Sequence, residues 1–338
     1  MFSGIGGFEL GIQRAFDNEH ARFGEKPEQE ERAQGGQRPT DKQPVLLHDR
    51  NRAAPLCVGY SEIDKYAIKV YERQFNGDNR PDLRNGIEEI QNNSTNSTER
   101  KDRVTSGHIN YGDATAIVPK LLPDFDLLVG GFPCQAFSIA GKRKGFDDTR
   151  GTLFFDIARI LAEKRPRHLV LENVKGLLSH EQGKTFQTIL GVLSDLGYSV
   201  EWQVLNSKDF GVPQNRERVY IVGHLGNECG RKVFPIINTH RQTVERVQGH
   251  YTNSVTKDYY ATDLARIRRL TPLECERLQG FPDDWTAKGI PDCCIADGHG
   301  CGKFAEPISD TQRYKMCGNA VTVNTVQAVM ERLIKHET

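Results

Sequence analysis

Apolar positions fall into short runs separated by polar stretches, and the runs alternate between two spacings. Runs at 125–129, 168–174, 198–205 and 219–223 are rich in Val, Ile, Leu and aromatic residues, the pattern of strands buried in a sheet. Shorter runs at 56–64 and 109–114 read as two further strands, each with an acid at its tip. Between these lie stretches with helical spacing. Phe8, Ile12, Ala15 and Phe16 share one face, as do Ala67, Ile68, Val70 and Tyr71. Residues 153–161 repeat the pattern, as does a last segment carrying Val323, Val326, Val329, Met330 and Leu333. Thr271 followed by Pro272 marks a capped helix start. Strand and helix in alternation predict an α/β fold with a doubly wound, mostly parallel sheet.

Two stretches carry no such spacing. Residues 17–54 hold eight acidic and seven basic side chains with few large apolar ones, and 76–107 are rich in Asn, Ser, Thr and charge. Both read as polar insertions. Alternation fails again from His224 to Arg269, where eight Lys/Arg face four Asp/Glu beside Tyr251, Tyr259 and Tyr260. Over all 338 residues Lys+Arg equals Asp+Glu at 45 each, so any nucleic-acid surface has to be local. This basic, aromatic-bearing segment is the candidate for one, with a solvated surface as the alternative. Eight cysteines without a CxxC pair, no secretory segment and no long apolar run fit a reduced, soluble, cytoplasmic protein. Cys293, Cys294 and Cys301 around His299 match no usual zinc spacing.

Candidate chemistry gathers at the strand ends, where open α/β sheets bind ligands. Cys134 follows Gly130-Gly131-Phe132-Pro133 just past one strand; it is a nucleophile or, equally, a small buried hydrophobe. Glu172 ends the next strand, where burial would raise its pKa and suit it to acid catalysis. Arg216 and Arg218 alternate in an extended segment and so point the same way. Glycines at 4, 6 and 7 open the chain as a turn into a helix, a site for close ligand approach or a plain tight turn. Glu62 and Asp113 stand at the tips of the second and third strands, as a ribose-binding acid does in dinucleotide folds or as simple helix-start carboxylates. Lys142, Arg143 and Lys144, bounded by Gly141 and Gly145, form a basic loop suited to a phosphate backbone.

The order of these pieces closely resembles the DNA cytosine-5 methyltransferase family of the prokaryotic restriction-modification type. The resemblance rests on Phe2-Ser3-Gly4-Ile5-Gly6-Gly7-Phe8, Ser61-Glu62-Ile63-Asp64, Gly112-Asp113, Gly131-Phe132-Pro133-Cys134-Gln135 and Glu172-Asn173-Val174. It continues through Gln214-Asn215-Arg216-Glu217-Arg218, Arg269-Leu270-Thr271-Pro272 with Gln279-Gly280-Phe281-Pro282, and Gly318-Asn319-Ala320-Val321. It implies S-adenosylmethionine as methyl donor, lined by Phe2, Gly4, Gly6, Ile63, Pro133, Leu153 and Asn319, with Glu62 on the ribose and Asp113 on the adenine amine. It implies a Cys134 thiolate that adds to carbon 6 of a flipped-out cytosine, with Glu172 on the base edge and Arg218 on its carbonyl oxygen. Arg216 is expected to position the catalytic loop and lower the thiol pKa. Gln135, Ser138 and Lys142 to Lys144 are expected on the DNA.

The resemblance further implies a cofactor-binding catalytic domain at 1–223, a small target-recognition domain at 224–310, and a C-terminal helix at 311–338 returning to the first domain. Double-stranded DNA is the partner; the family allows a cognate restriction endonuclease acting on the same site, and implies a monomer with no metal and no membrane. Two departures stand out. The recognition region is short, with Ser254-Val255 where a Thr-Leu pair is usual, and only Met1 and Phe2 precede the first turn, so the first strand is expected to be either shortened to almost nothing or supplied by residues upstream of this reading frame. The competing readings are a transfer-RNA methyltransferase, a non-catalytic DNA-binding relative and a nicotinamide-dependent oxidoreductase. The Cys-Phe-Thr signature of the RNA branch is absent, Cys134, Glu172 and Arg218 are intact, and no hydride-transfer dyad occurs.

Overall fold

A computed structural model describes residues 4–24, 55–76, 108–133, 153–226, 232–236, 250–251, 260–263, 266–292 and 305–335. Its centre is a four-stranded sheet of β1 (Leu127–Gly131), β2 (His168–Val174), β3 (Tyr198–Asn206) and β4 (Glu217–Leu225), in the spatial order β1-β2-β4-β3. β1 and β2 run parallel, whereas β4 is antiparallel to both β2 and β3. The α/β class therefore stands. Among the described strands the sheet is mixed: its parallel part is the β1–β2 ladder, and outside the ladders isolated parallel bridges pair Tyr60 with Asn110 and Tyr198 with Gly226.

Alternation along the central strands feeds two separate cores. Leu169 and Leu171 of β2 and Val219 and Ile221 of β4 face α3 (Leu153–Lys164) and α4 (Lys184–Asp195), which contribute Phe154, Ile157, Leu161, Ile189 and Leu193. On the opposite face Val170, Tyr220 and Val222 pack with Phe8 and Ala15 of α1 (Gly7–Gly24) and with Val326, Val329, Met330 and Leu333 of α7 (Val323–Lys335). The result is three layers, helix, sheet and helix. Each fully buried Leu, Ile, Val or Phe contributes about 1.5–3 kcal/mol. The first and last described helices pack directly on each other.

The 56–64 segment differs from the strand its sequence suggests. Only Tyr60 pairs, through its N–H to Ile109 O at 2.8 Å and its carbonyl to Tyr111 N at 2.7 Å. Beyond that bridge side chains replace the ladder, and the acids become caps. Asp64 accepts from the amides of Tyr66 and Ala67 at the start of α2 (Lys65–Phe75), and Asp113 caps a single 3-10 turn at Ala114–Ala116. The expected helix at 272 is α5 (Pro272–Leu278), with a full capping box between Thr271 and Glu274. Three short strands, β5 (His250–Tyr251), β6 (Tyr260–Asp263) and β7 (Arg266–Arg269), form a small antiparallel sheet before it. After it come β8 (Lys288–Gly289), paired with β9 (Glu306–Pro307), and α6 (Asp310–Asn319). Among the described residues no helix is long and apolar enough to cross a membrane.

Candidate active site

Parallel pairing of β1 and β2 sets Gly131 beside Glu172. A Cβ on Gly131 would stand 3.3 Å from Glu172 Oε2, so the glycine leaves room for the carboxylate over the end of β1. Asn173 fixes the same strand end: its Nδ2 donates to Phe132 O at 2.7 Å, and its Oδ1 accepts from Val174 N at 2.8 Å. Pro133 is the exposed last described residue of this segment, and Cys134 follows it in sequence.

Glu172 is buried, and its Oε1 lies 3.0 Å from Nε of Arg218 without the alignment of a hydrogen bond. The pair is thus a close charge contact that leaves the carboxylate with unspent acceptor capacity. Burial raises the Glu172 pKa above the usual carboxylate range, and the charges of Arg218 and Arg216 offset only part of that. The arginines do face the same way, with Glu217 between them exposed. Their attachments differ. Arg216 is buried and donates to the carbonyls of Gly318 at 3.3 Å and Ala320 at 2.9 Å, so it clamps the backbone on both sides of Asn319.

A second edge assembles from three loops. Glu62 accepts the Gly4 amide at 2.9 Å on one carboxylate oxygen and the amides of Ile63 and Asp64, both at 2.8 Å, on the other. Asn110 ties this loop to the next, accepting from the amides of Glu62 at 3.2 Å and Gly112 at 2.9 Å, while Ser61 Oγ donates to Gly112 O at 2.6 Å. Gly4 and Gly112 both adopt left-handed φ, +56° and +68°, and a Cβ on either would meet nothing within 4 Å. Ile63 projects beside them at 69% exposure. Asp113 is exposed, and the Thr115 amide and hydroxyl hold its carboxyl below the ordinary range. An open backbone cradle, an exposed apolar side chain and two carboxylates suit a nucleoside with hydroxyl and amine groups.

Of the residues singled out in sequence, Glu172, Arg216 and Arg218 converge on one strand end, while Gly4, Glu62, Ile63 and Asp113 share the loop edge. Gly6 abuts Phe75, and Leu153 begins α3, where its neighbour Phe154 packs on Phe132 at 5.4 Å between ring centroids. Asn319 is the exposed last residue of α6. Phe2, Cys134, Gln135, Ser138, Lys142, Arg143 and Lys144 lie outside the described residues, as do Cys293, Cys294, Cys301 and His299. Asn110, Asn173 and Trp285 escaped the sequence reading as supports of these sites. The Asn110 and Asn173 side chains do their bonding to backbone, which leaves no signal in residue spacing.

Residues 50–259 and 227–335 match the family described as C-5 cytosine-specific DNA methylase. The Type II methyltransferase M1.ScrFI of Lactococcus lactis subsp. cremoris is 36% identical over 326 residues, covering 81% of this chain and 71% of that protein. The Type II methyltransferase M.NlaX of Neisseria lactamica is 32% identical over 381 residues and covers 98% of this chain and 94% of its own. In fold, the Dnmt2 methyltransferase of S. pombe superposes with a TM-score of 0.56 at 15% identity, covering 100% of this chain and 97% of that one. The family match and these relatives show that the chain belongs to the C-5 cytosine-specific DNA methylases, enzymes that transfer a methyl group from S-adenosylmethionine to cytosine in DNA.

Proposed function

We propose that this enzyme works by covalent catalysis on a cytosine flipped out of a short, specific duplex sequence, with Cys134 as nucleophile. The observation that carries the reading is the buried Glu172 beside Arg218, set over Gly131 three residues before Cys134. Carbon 5 of cytosine is a poor nucleophile. When the Cys134 thiolate bonds to carbon 6, the ring electrons shift to carbon 5 and N3 takes a proton from Glu172, whose raised pKa favours the acid form it needs. Arg218 holds the base carbonyl oxygen and the Glu172 carboxylate together. After carbon 5 is methylated, a base removes its proton and the thiolate leaves. Arg216 acts through the backbone it clamps around Asn319.

Bound S-adenosylmethionine supplies an electrophilic methyl carbon. Gly4, Gly6, Ile63, Pro133, Leu153 and Asn319, with Phe2, would line its site, Glu62 would take the ribose hydroxyls and Asp113 the adenine amine. Gln135, Ser138 and the Lys142 to Lys144 loop would meet the DNA. On this reading 1–223 form the catalytic domain, 224–310 the recognition domain and 311–338 the returning helix, in a monomeric, nucleoid-associated enzyme. The Type II names of M1.ScrFI and M.NlaX favour a cognate endonuclease at the same site.

The test is transfer of labelled methyl groups from S-adenosylmethionine to unmethylated duplex DNA. The parent labels DNA and Cys134→Ser does not; DNA carrying 5-fluorocytosine forms a covalent adduct only with the parent, because fluorine blocks the last elimination. Undiminished transfer by Cys134→Ser would falsify the mechanism. Bisulfite sequencing of the product reads out the target sequence.

A further inference from the structure

The turn through Gly4, Ile5 and Gly6, with left-handed φ of +56° at Gly4 and +84° at Gly6, is held by two partners from distant parts of the chain. On one side Gly4 N–H donates to Glu62; on the other, the indole Nε1–H of Trp285 donates to Ile5 O at 2.9 Å. Trp285 is fixed at its own backbone as well, since its carbonyl accepts from Gln74 Nε2 at 2.8 Å. Its ring meets Phe75 edge-on at 5.9 Å and Phe281 at 5.6 Å. Phe75 in turn fills the space a Cβ on Gly6 would need, 2.1 Å from that position. The turn is therefore gripped from three directions, and one grip comes from a residue 280 positions downstream.

Gly4 and Gly6 bring no side chains to hold their peptides, and the buried Ile5 side chain anchors the turn without orienting its amides, so the bond to the Ile5 carbonyl sets the direction of the neighbouring amides. We propose that Trp285 is a positioning residue for methyl-donor binding, holding the Gly4-Ile5-Gly6 peptides in their binding orientation. The proposal rests on the reading of this turn as part of the methyl-donor site.

Trp285→Phe keeps an aromatic ring and removes the donor. A net hydrogen bond of ordinary strength predicts a rise in KM for S-adenosylmethionine of about three- to tenfold, with KM for DNA and kcat at saturating donor close to the parent's. A purely structural role would lower the active fraction and leave both KM values alone. Trp202 and Trp285 are the chain's two tryptophans, so Trp202→Phe leaves Trp285 as sole emitter, and S-adenosylhomocysteine should shift its emission. Calorimetry of S-adenosylhomocysteine on the parent is the control. No binding there defeats the site reading and the role with it; normal parent binding with an unchanged donor KM in Trp285→Phe defeats the role alone. If Trp285→Phe does not fold, an emission in Trp202→Phe that S-adenosylhomocysteine leaves unmoved overturns the proposal.

Discussion

Glu172 is held where its charge is disfavoured, and this shapes stability as well as chemistry. In an unfolded chain its carboxyl titrates near about 4.3; in the fold burial raises it, and Arg218 recovers only part. Between the two values the native state binds more protons than the unfolded one, so this group's contribution to stability falls as pH rises through that window. Glu172→Gln cannot titrate. The parent should therefore gain melting temperature relative to Glu172→Gln as pH drops from about 8 to about 5, while methylation by the variant is at least about 100-fold slower. A constant difference in melting temperature across that range would contradict the burial argument. The acid itself was legible in the sequence because a strand-end carboxylate after an apolar run is conspicuous. Its seat was not, since the role of Gly131 depends on parallel pairing between segments 41 residues apart.

Among the elements, α5 shows how a short helix is made to start at a fixed residue. Thr271 Oγ1 accepts from Glu274 N at 3.3 Å, and Glu274 Oε2 accepts from Thr271 N at 2.7 Å, with Pro272 in the first turn. Thr271→Ala should cost about 1 kcal/mol and lower the melting temperature by about 2 °C, with Thr271→Ser near the parent. An unshifted melt for Thr271→Ala would show that packing of Cys275 and Leu278, not the cap, fixes this helix. Caps and helical faces were readable because their residue types and spacing are local. The 56–64 segment misled for the same reason. Its apolar run resembles a strand, but Asn110 and Ser61 take over the bonding that a ladder would supply, and a run of side chains does not announce that.

For the whole molecule, charge balance conceals a local bias. Equal totals of acid and base give no net field, yet the 224–269 segment carries twice as many basic as acidic side chains. DNA affinity should therefore depend steeply on salt despite the neutral chain, falling at least about tenfold between 50 and 200 mM. Fluorescence anisotropy with a labelled duplex measures the slope, and a flat response would remove the phosphate-binding role of this segment. The order of motifs along the chain was enough to anticipate the family. The resemblance also implies a C-terminal helix returning to the first domain, but not the particular contacts that join the two ends, such as Trp285 to Ile5 and α1 to α7, because residue spacing does not carry them.

That joining has a consequence for synthesis. Glu62 and Phe75 are made soon after the glycine turn, but its other supports come far later in the chain: the Trp285 indole, 280 positions on, reaches Ile5, and Val321 lies where a Cβ on Gly7 would come within 2.7 Å. A nascent chain carries the turn without these later contacts until Trp285 and Val321 have been made. On the reading of this turn as part of the methyl-donor site, chains not yet elongated past these contacts should compete poorly for the methyl donor.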